Sequence, residues 1–360
     1  MRVTVAFPAL CFSLTAASRT GFNPSDGVQA GYHVIWSYPG PTIPQDIYSA
    51  AIAGRLGGII LFGENVNDNL PTQINALQQT YKKSKNYPGF PLLILTDQEG
   101  GEVNRLPGGP TQSAKEVGQA SDPAAAAASA GSTVATVFSE YNVNGDLAPV
   151  LGVFRESGDF LDRYERSYGN TCQLVSTCVG PFISAMQSKG VLATAKHFPG
   201  LGAAARDANT DVEPVTLNLT LNEIRSIDEV PYKTAISTGV KMVMPSWALY
   251  PALDSKYPSG LSKRWIRQEL RGRLGFRGVT ISDAIEAGAL TAFGDTGERT
   301  TLALSAGMDV ILAAARNTTQ GSNAVTAIVS GLKSGQIDLR AFKESTKRIA
   351  DLRKSLAGKH

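Results

Sequence analysis

The chain has 360 residues, of which 42% are hydrophobic and 18% charged. That balance excludes a disordered chain, a collagen and a disulfide-dense mini-scaffold, and no internal apolar run approaches the ~18 residues of a membrane span. The formal net charge is +3, from 34 basic and 31 acidic residues with no long Lys/Arg block, which argues against nucleic acid as a partner.

The N-terminus reads differently from the rest. Arg2 is followed by a mostly apolar stretch from Val3 to Ala17 and then by Ser18-Arg19-Thr20. Thr15 and Ala17 stand at the small-residue −3 and −1 spacing of a signal-peptidase site, so residues 1–17 read as a signal peptide and the chain as secreted. The alternative is a buried first element, against which Pro8 and Cys11 argue. Cleavage after Ala17 removes Cys11 and leaves Cys172 and Cys178, an even pair close in sequence that reads as one small disulfide. Asn218-Leu219-Thr220 and Asn317-Thr318-Thr319 are glycosylation sequons compatible with export.

Eight short apolar runs follow, each bounded by Gly, Pro or polar turns: 30–37, 57–62, 92–97, 143–150, 191–197, 241–246, 278–283 and 308–312. Most are continuous rather than alternating, the pattern of parallel strands covered on both faces. Helical composition fills the gaps at 71–83, 122–141, 221–238, 262–274, 298–306 and 338–356. Ser121-Asp122-Pro123 opens one of these helices, and Thr220 with Glu223 forms a possible capping box for another. Eight strands alternating with helices over about 300 residues predict a single-domain (β/α)₈ TIM barrel over 28–356. The rival, an open doubly wound sheet, lacks its usual G-x-G-x-x-G support.

In such a barrel the active site lies at the C-terminal ends of the strands. The third run ends on Asp97, the fifth on Lys196-His197 and the seventh on Ser282-Asp283. Two carboxylates and a Lys-His pair therefore converge on one face, an arrangement suited to glycoside hydrolysis among other chemistries. With three histidines and no phosphate loop, neither a His-rich metal site nor a cofactor is expected.

The residues themselves resemble glycoside hydrolase family 3, in its single-domain β-N-acetylglucosaminidase-like branch. The matching segments run in order. They are Gly58-Ile59-Ile60-Leu61-Phe62-Gly63-Glu64-Asn65, Asp97-Gln98-Glu99-Gly100-Gly101 with Asn104-Arg105, and Asp146-Leu147-Ala148-Pro149-Val150-Leu151. Glu165-Arg166-Ser167-Tyr168-Gly169, Lys196-His197-Phe198-Pro199-Gly200, Tyr250-Pro251-Ala252-Leu253-Asp254 and Leu274-Gly275-Phe276-Arg277-Gly278-Val279 before Ser282-Asp283 complete the set. The resemblance implies a retaining hydrolase with Asp283 as nucleophile and with Asp97, Arg105, Arg166, Lys196 and His197 lining the sugar subsite. Asp146 also matches, as a structural hydrogen-bonding residue or a substrate contact.

The resemblance fails at one place. The family's branch carries an Asp-His dyad as general acid/base on the loop after Lys-His-Phe-Pro-Gly; here the dyad histidine falls on Asn209, which cannot titrate near neutral pH. The loop instead resembles a secreted variant group that reads Asn-Thr-Asp. Asp211 is the preferred substitute acid/base, with Asp207 second and Glu213 behind it; the alternative is that all three are solvated loop charges. The family's two-domain β-glucosidases draw their acid/base from a C-terminal domain. This sequence ends about 77 residues after Asp283, so such a domain is not expected in it. The expected function is a secreted retaining exo-glycosidase acting on terminal β-N-acetylglucosamine. Its alternatives are a non-catalytic carbohydrate-binding barrel and a β-glucosidase-type specificity. The expected partner is a saccharide, with no membrane association after signal removal.

Overall fold

The computed structural model describes residues 25–357, so the expected signal peptide at 1–17 lies outside the described residues. A strand falls on every one of the eight apolar runs, two of the strands ending one residue past the run: β1 (Val34–Trp36), β2 (Gly58–Ile60), β3 (Leu93–Thr96), β4 (Gly145–Asp146), β5 (Thr194–Phe198), β6 (Met242–Pro245), β7 (Val279–Ala284) and β8 (Val310–Leu312). All neighbours pair in parallel in the order β4-β3-β2-β1-β8-β7-β6-β5. The remaining gap, between β4 and β5, is bridged at Gly145/Leu192 and Val150/Lys196. Asp146 N donates to Leu192 O at 2.8 Å and Thr194 N to Ala148 O at 2.8 Å across the same seam. The result is the expected (β/α)₈ barrel.

The continuity of the apolar runs follows from burial on both faces. Leu93 and Leu95 point into the barrel interior with Ile35, Ile60, Met242, Val279 and Ile281, whereas Ile94 between them joins the outer core against the helices. In such a run, as in Leu93-Ile94-Leu95, a residue is apolar whichever way it points. The floor is closed by the last helix, Leu339–Lys354, whose Ile349 and Leu352 pack on the interior cluster with Tyr32 and Phe90.

The helices follow the pattern less closely. Leu70–Lys82, Pro123–Tyr141, Thr296–Ala306 and Leu339–Lys354 fall where expected, and Asp122 caps its helix through Ala125 N at 3.0 Å. The Thr220 capping box is present: Glu223 N donates to Thr220 Oγ1 at 3.2 Å and Thr220 N to Glu223 Oε2 at 2.7 Å. The expected first strand begins too early at residue 30, because Ser25–Tyr32 is helical. Beyond Tyr32, the helices Gln45–Ile52, Cys172–Ser188 and Thr318–Ser334 lie outside the expected set, as do the short ones Ala114–Gly118 and Phe160–Arg163.

The second of these corrects the disulfide expectation. Cys172 and Cys178 are buried free thiols on one helix. Six residues along an α-helix span about 9 Å, beyond the reach of a disulfide. Burial instead pushes the Cys178 thiol up to about 12, which makes it inert at neutral pH. Among the described residues no helix is long and apolar enough to cross a membrane. Asn218 and Asn317 are both exposed; Asn317 caps the helix Thr318–Ser334 by accepting from Gln320 N at 2.9 Å.

Candidate active site

A cavity of about 520 Å³ opens at the C-terminal ends of the strands. Asp97, Arg105, Arg166, Lys196, His197, Asp211 and Asp283 all line it, joined by Glu99, Asn209 and Glu286. The first seven come from segments far apart in the chain, from the end of β3 to the end of β7, and parallel strand order brings them to one rim.

One wall is a buried ion-pair network. Lys196 Nζ lies 2.8 Å from Asp97 Oδ1 and 2.7 Å from Glu99 Oε1. Arg166 clamps Glu99 with two parallel bonds, Nε to Oε2 and a terminal nitrogen to Oε1, both at 2.8 Å. Burial pushes the Glu99 carboxyl upward, but Arg166 and Lys196 together outweigh it and hold the group well below the usual carboxylate range. Desolvation works likewise against Lys196, and Asp97 and Glu99 overcome it, so the ammonium stays charged. Glu99 lies within a segment that matches the family but has no role in the sequence reading; it is the hub that joins Arg166 to Lys196.

The hub is held by its neighbours. After β3, residues Gln98–Gly100 pair antiparallel with Val103–Asn104 in a short hairpin. The Gln98 side chain accepts from Arg105 N at 2.9 Å and Leu106 N at 3.0 Å, and it donates to Leu106 O and Gly109 O, both at 2.8 Å. Gln98 N in turn donates to Asp146 Oδ1 at 2.9 Å. Asp146 is fully buried and lies behind the cavity lining. Burial is the main reason its carboxyl is raised well above the ordinary range. Its role in this geometry is the structural one of the two expected.

Asp283 occupies the opposite side, at the end of β7. Ala284 N donates to its Oδ1 at 2.7 Å, which fixes the carboxyl. Its Oδ2 faces His197 Nε2 at 3.9 Å, too far for a hydrogen bond. Burial, then the neighbouring charge of Asp211, raises the Asp283 carboxyl above its usual range. Burial also pushes the His197 imidazole well down, reinforced by Lys196 and Arg166, so His197 is neutral. Lys196 and His197 both line the cavity although they are adjacent in β5; the peptide between them is cis.

The loop after β5 separates the acid/base candidates. Asp211 lines the cavity, is exposed to solvent, and lies near enough to Asp283 to raise its carboxyl. Asp207 does not: its side chain is 84% exposed and pairs with Arg163 at 2.7 Å outside the cavity. Glu213 is also exposed and outside the lining. Of the three candidates, the structure places only Asp211 in the cavity lining with Asp283. Glu286, which has no place in the sequence reading, lines the cavity from the β7 side. Its Oε2 accepts from Ala314 N at 3.2 Å and Gln320 Nε2 at 3.1 Å, bracing the β7 and β8 loops, and burial raises its carboxyl. Its position three residues after Asp283 is the one signal in the sequence. No cluster of His, Cys, Asp and Glu among the described residues has the geometry to hold a metal ion.

With this geometry established, comparison with known proteins gives a consistent answer. The model of the glycosyl hydrolase family 3 N terminal domain matches residues 39–352. An uncharacterized secreted glycosyl hydrolase of Arthroderma benhamiae is 51% identical over 330 residues, covering 92% of this chain and 94% of its own. A β-hexosaminidase of Tolumonas auensis is 34% identical over 286 residues, covering 78% of this chain and 80% of its own. Among solved structures, a family 3 β-N-acetylglucosaminidase from Paenibacillus superposes with a TM-score of 0.85 at 30% identity. It matches 92% of this chain, which spans 62% of that longer protein.

Proposed function

The chain belongs to glycosyl hydrolase family 3 and is a glycoside hydrolase, and from that premise we propose that it removes terminal β-linked N-acetylglucosamine from saccharides with retention of configuration. The observation that carries the mechanism is Asp283, a carboxylate anchored through one oxygen at the end of β7 with the other turned into a cavity that also holds Asp211. In the first step Asp283 Oδ2 forms a bond to the anomeric carbon as the glycosidic C–O bond breaks, and Asp211 gives its proton to the departing oxygen. In the second step Asp211 takes a proton from water, the water oxygen bonds the anomeric carbon, and the ester to Asp283 opens.

Asp97, Arg166 and Lys196 serve as hydroxyl partners in this reading, since their charges are already fixed by the ion-pair network and cost little reorganisation on binding. The neutral His197 donates to substrate without competing for the proton. Arg105 lines the same cavity with a buried Nε that has no hydrogen-bond partner among the described residues, which suits a ligand contact. The 2-acetamido specificity rests on the names of the relatives. Secretion through a signal peptide at 1–17, with glycans at Asn218 and Asn317, is part of the same proposal and is supported by the name of the Arthroderma relative.

Asn209 at the position of the dyad histidine favours a second reading, a barrel that binds sugar without turnover. Assay of the purified protein on aryl β-N-acetylglucosaminide and aryl β-glucoside, beside Asp283→Ala, separates the readings. Turnover of the acetamido substrate that vanishes in the variant supports the proposal. Binding without turnover of either substrate rejects it in favour of the second reading, and turnover of the glucoside alone replaces the specificity.

A further inference from the structure

Asp211 is exposed and belongs to a loop, yet a proton donor must be held to within about an ångström to be effective. The contacts that tie it to the neighbouring loop are backbone contacts. Gly288 N donates to Asp211 O at 2.8 Å, and Ala289 N donates to Thr210 O at 3.1 Å. Both donors lie at the start of a short helical turn, Gly288–Phe293, that follows β7 directly. The same few residues that carry Asp283 therefore also carry the loop of Asp211.

The approach is close. A Cβ on Gly288 would stand 2.0 Å from Val212 O and 3.1 Å from Asp211 O, and those neighbours are backbone that cannot rotate away. The loop's entry is seated the same way: a Cβ on Gly202 would stand 2.1 Å from Val153 O. Between the two seats, Asn209 shapes the segment, accepting from Asp211 N through its side chain at 2.9 Å and from Val212 N through its carbonyl at 3.1 Å. The Asn209 amide thus orders the turn that presents the Asp211 carboxyl.

We propose that Gly288 is a positioning residue for the acid/base: its bare backbone lets the loop after β7 dock the turn Asn209–Thr210–Asp211 of the neighbouring loop, so that nucleophile and proton donor are registered against each other through one short segment of main chain. This rests on the reading of Asp211 as acid/base. Replacing Gly288 by Ala must push Val212 and Asp211 away while leaving Asp283, five residues upstream in β7, anchored by Ala284.

The test measures kcat/KM of wild type, Gly288→Ala and Asp211→Asn on two aryl β-N-acetylglucosaminides, one with the poor leaving group phenol and one with activated 2,4-dinitrophenol. A general acid matters for the first and little for the second. Gly288→Ala is expected to lose about 10²-fold on the phenyl substrate and less than about 3-fold on the dinitrophenyl substrate, because displacement by roughly an ångström costs that much at a reacting group. Retained activity on the activated substrate shows that the barrel and Asp283 are intact. Ala289→Pro, which removes the other donor at a first-turn position that tolerates proline, is expected to show the same selective loss and serves if Gly288→Ala does not fold. Equal losses on both substrates, or no loss, in the folded variant overturn the positioning role. If Asp211→Asn itself shows no leaving-group selectivity, the acid/base reading fails first and takes this inference with it.

Discussion

The two sides of the cavity are built from different materials. On one side Asp97, Glu99, Arg166 and Lys196 form a closed set of ion pairs, with Lys196 and Glu99 almost withdrawn from solvent. On the other, Asn209–Thr210–Asp211 is held by two main-chain hydrogen bonds and a glycine contact, and Asp211 is open to solvent. The first side cannot shift without separating buried charges, which is costly. The second is held by contacts that one added methyl group displaces. In the proposed mechanism sugar recognition falls to a rigid set of side chains, and proton transfer to a loop that must also admit water for the second step.

The largest effect on that contrast is expected at Glu99. Glu99→Gln leaves Arg166 and Lys196 buried with one countercharge fewer, and breaking a buried pair costs about 3–5 kcal/mol. Denaturant unfolding should show the loss, together with weaker binding of N-acetylglucosamine. Stability within about 1 kcal/mol of wild type, the value of an exposed pair, would mean the network is not the rigid side.

Asp211→Asn should leave the fold intact and act on pH dependence. Asp283 is raised first by burial and second by Asp211, so the nucleophile ionises only as pH rises through that raised value. Removing the Asp211 charge lowers it, and the acid limb of kcat/KM on an activated substrate should move to lower pH. A limb that stays in place, or moves up, breaks the link between the two carboxyls.

Asp146 should separate shape from charge. Since burial raises its carboxyl and disfavours the charged form, Asp146→Asn should keep both stability and activity, whereas Asp146→Ala strips Gln98 N of its acceptor and should cost about 1–3 kcal/mol. Equal damage from both variants would point to an ionised Asp146. The smallest effect belongs to Asp207. Its exposed pair with Arg163 lies outside the cavity, and Asp207→Asn should leave the melting temperature and kcat/KM near wild type. A large loss on phenyl substrates alone would put Asp207 ahead of Asp211 as the acid/base.

What can be read in advance follows the physics of each element. The barrel is legible because strands buried on both faces are apolar without interruption, as in Leu93-Ile94-Leu95, and because polar residues stop at the strand ends. The helix Cys172–Ser188 is not, since Gly180, Pro181 and its β-branched residues weaken the helical signal and two nearby cysteines suggest a loop. It is formed by packing against its neighbours, which propensity does not record. Asp97, Lys196, His197 and Asp283 are legible as strand-end residues in matching segments. Glu99 and Glu286 are not, because their importance lies in partners far away in sequence, Arg166 and Lys196 for one, Ala314 and Gln320 for the other. Asp211 ranks above Asp207 in the sequence only through its Asn-Thr-Asp context. In the structure the cavity lining, the Asp207–Arg163 pair and the docking of Thr210 and Asp211 on Gly288 and Ala289 tell them apart.

The central claim is that Asp283 forms a covalent glycosyl ester. Incubation with a 5-fluoro-N-acetylglucosaminyl fluoride, whose good leaving group favours the first step and whose ring fluorine slows the second, followed by peptide mass mapping, tests it directly. The account predicts one sugar residue attached to the peptide that contains Asp283, absent in Asp283→Ala. A sugar attached to any other residue, or steady turnover of substrate with no adduct at any time, would contradict it.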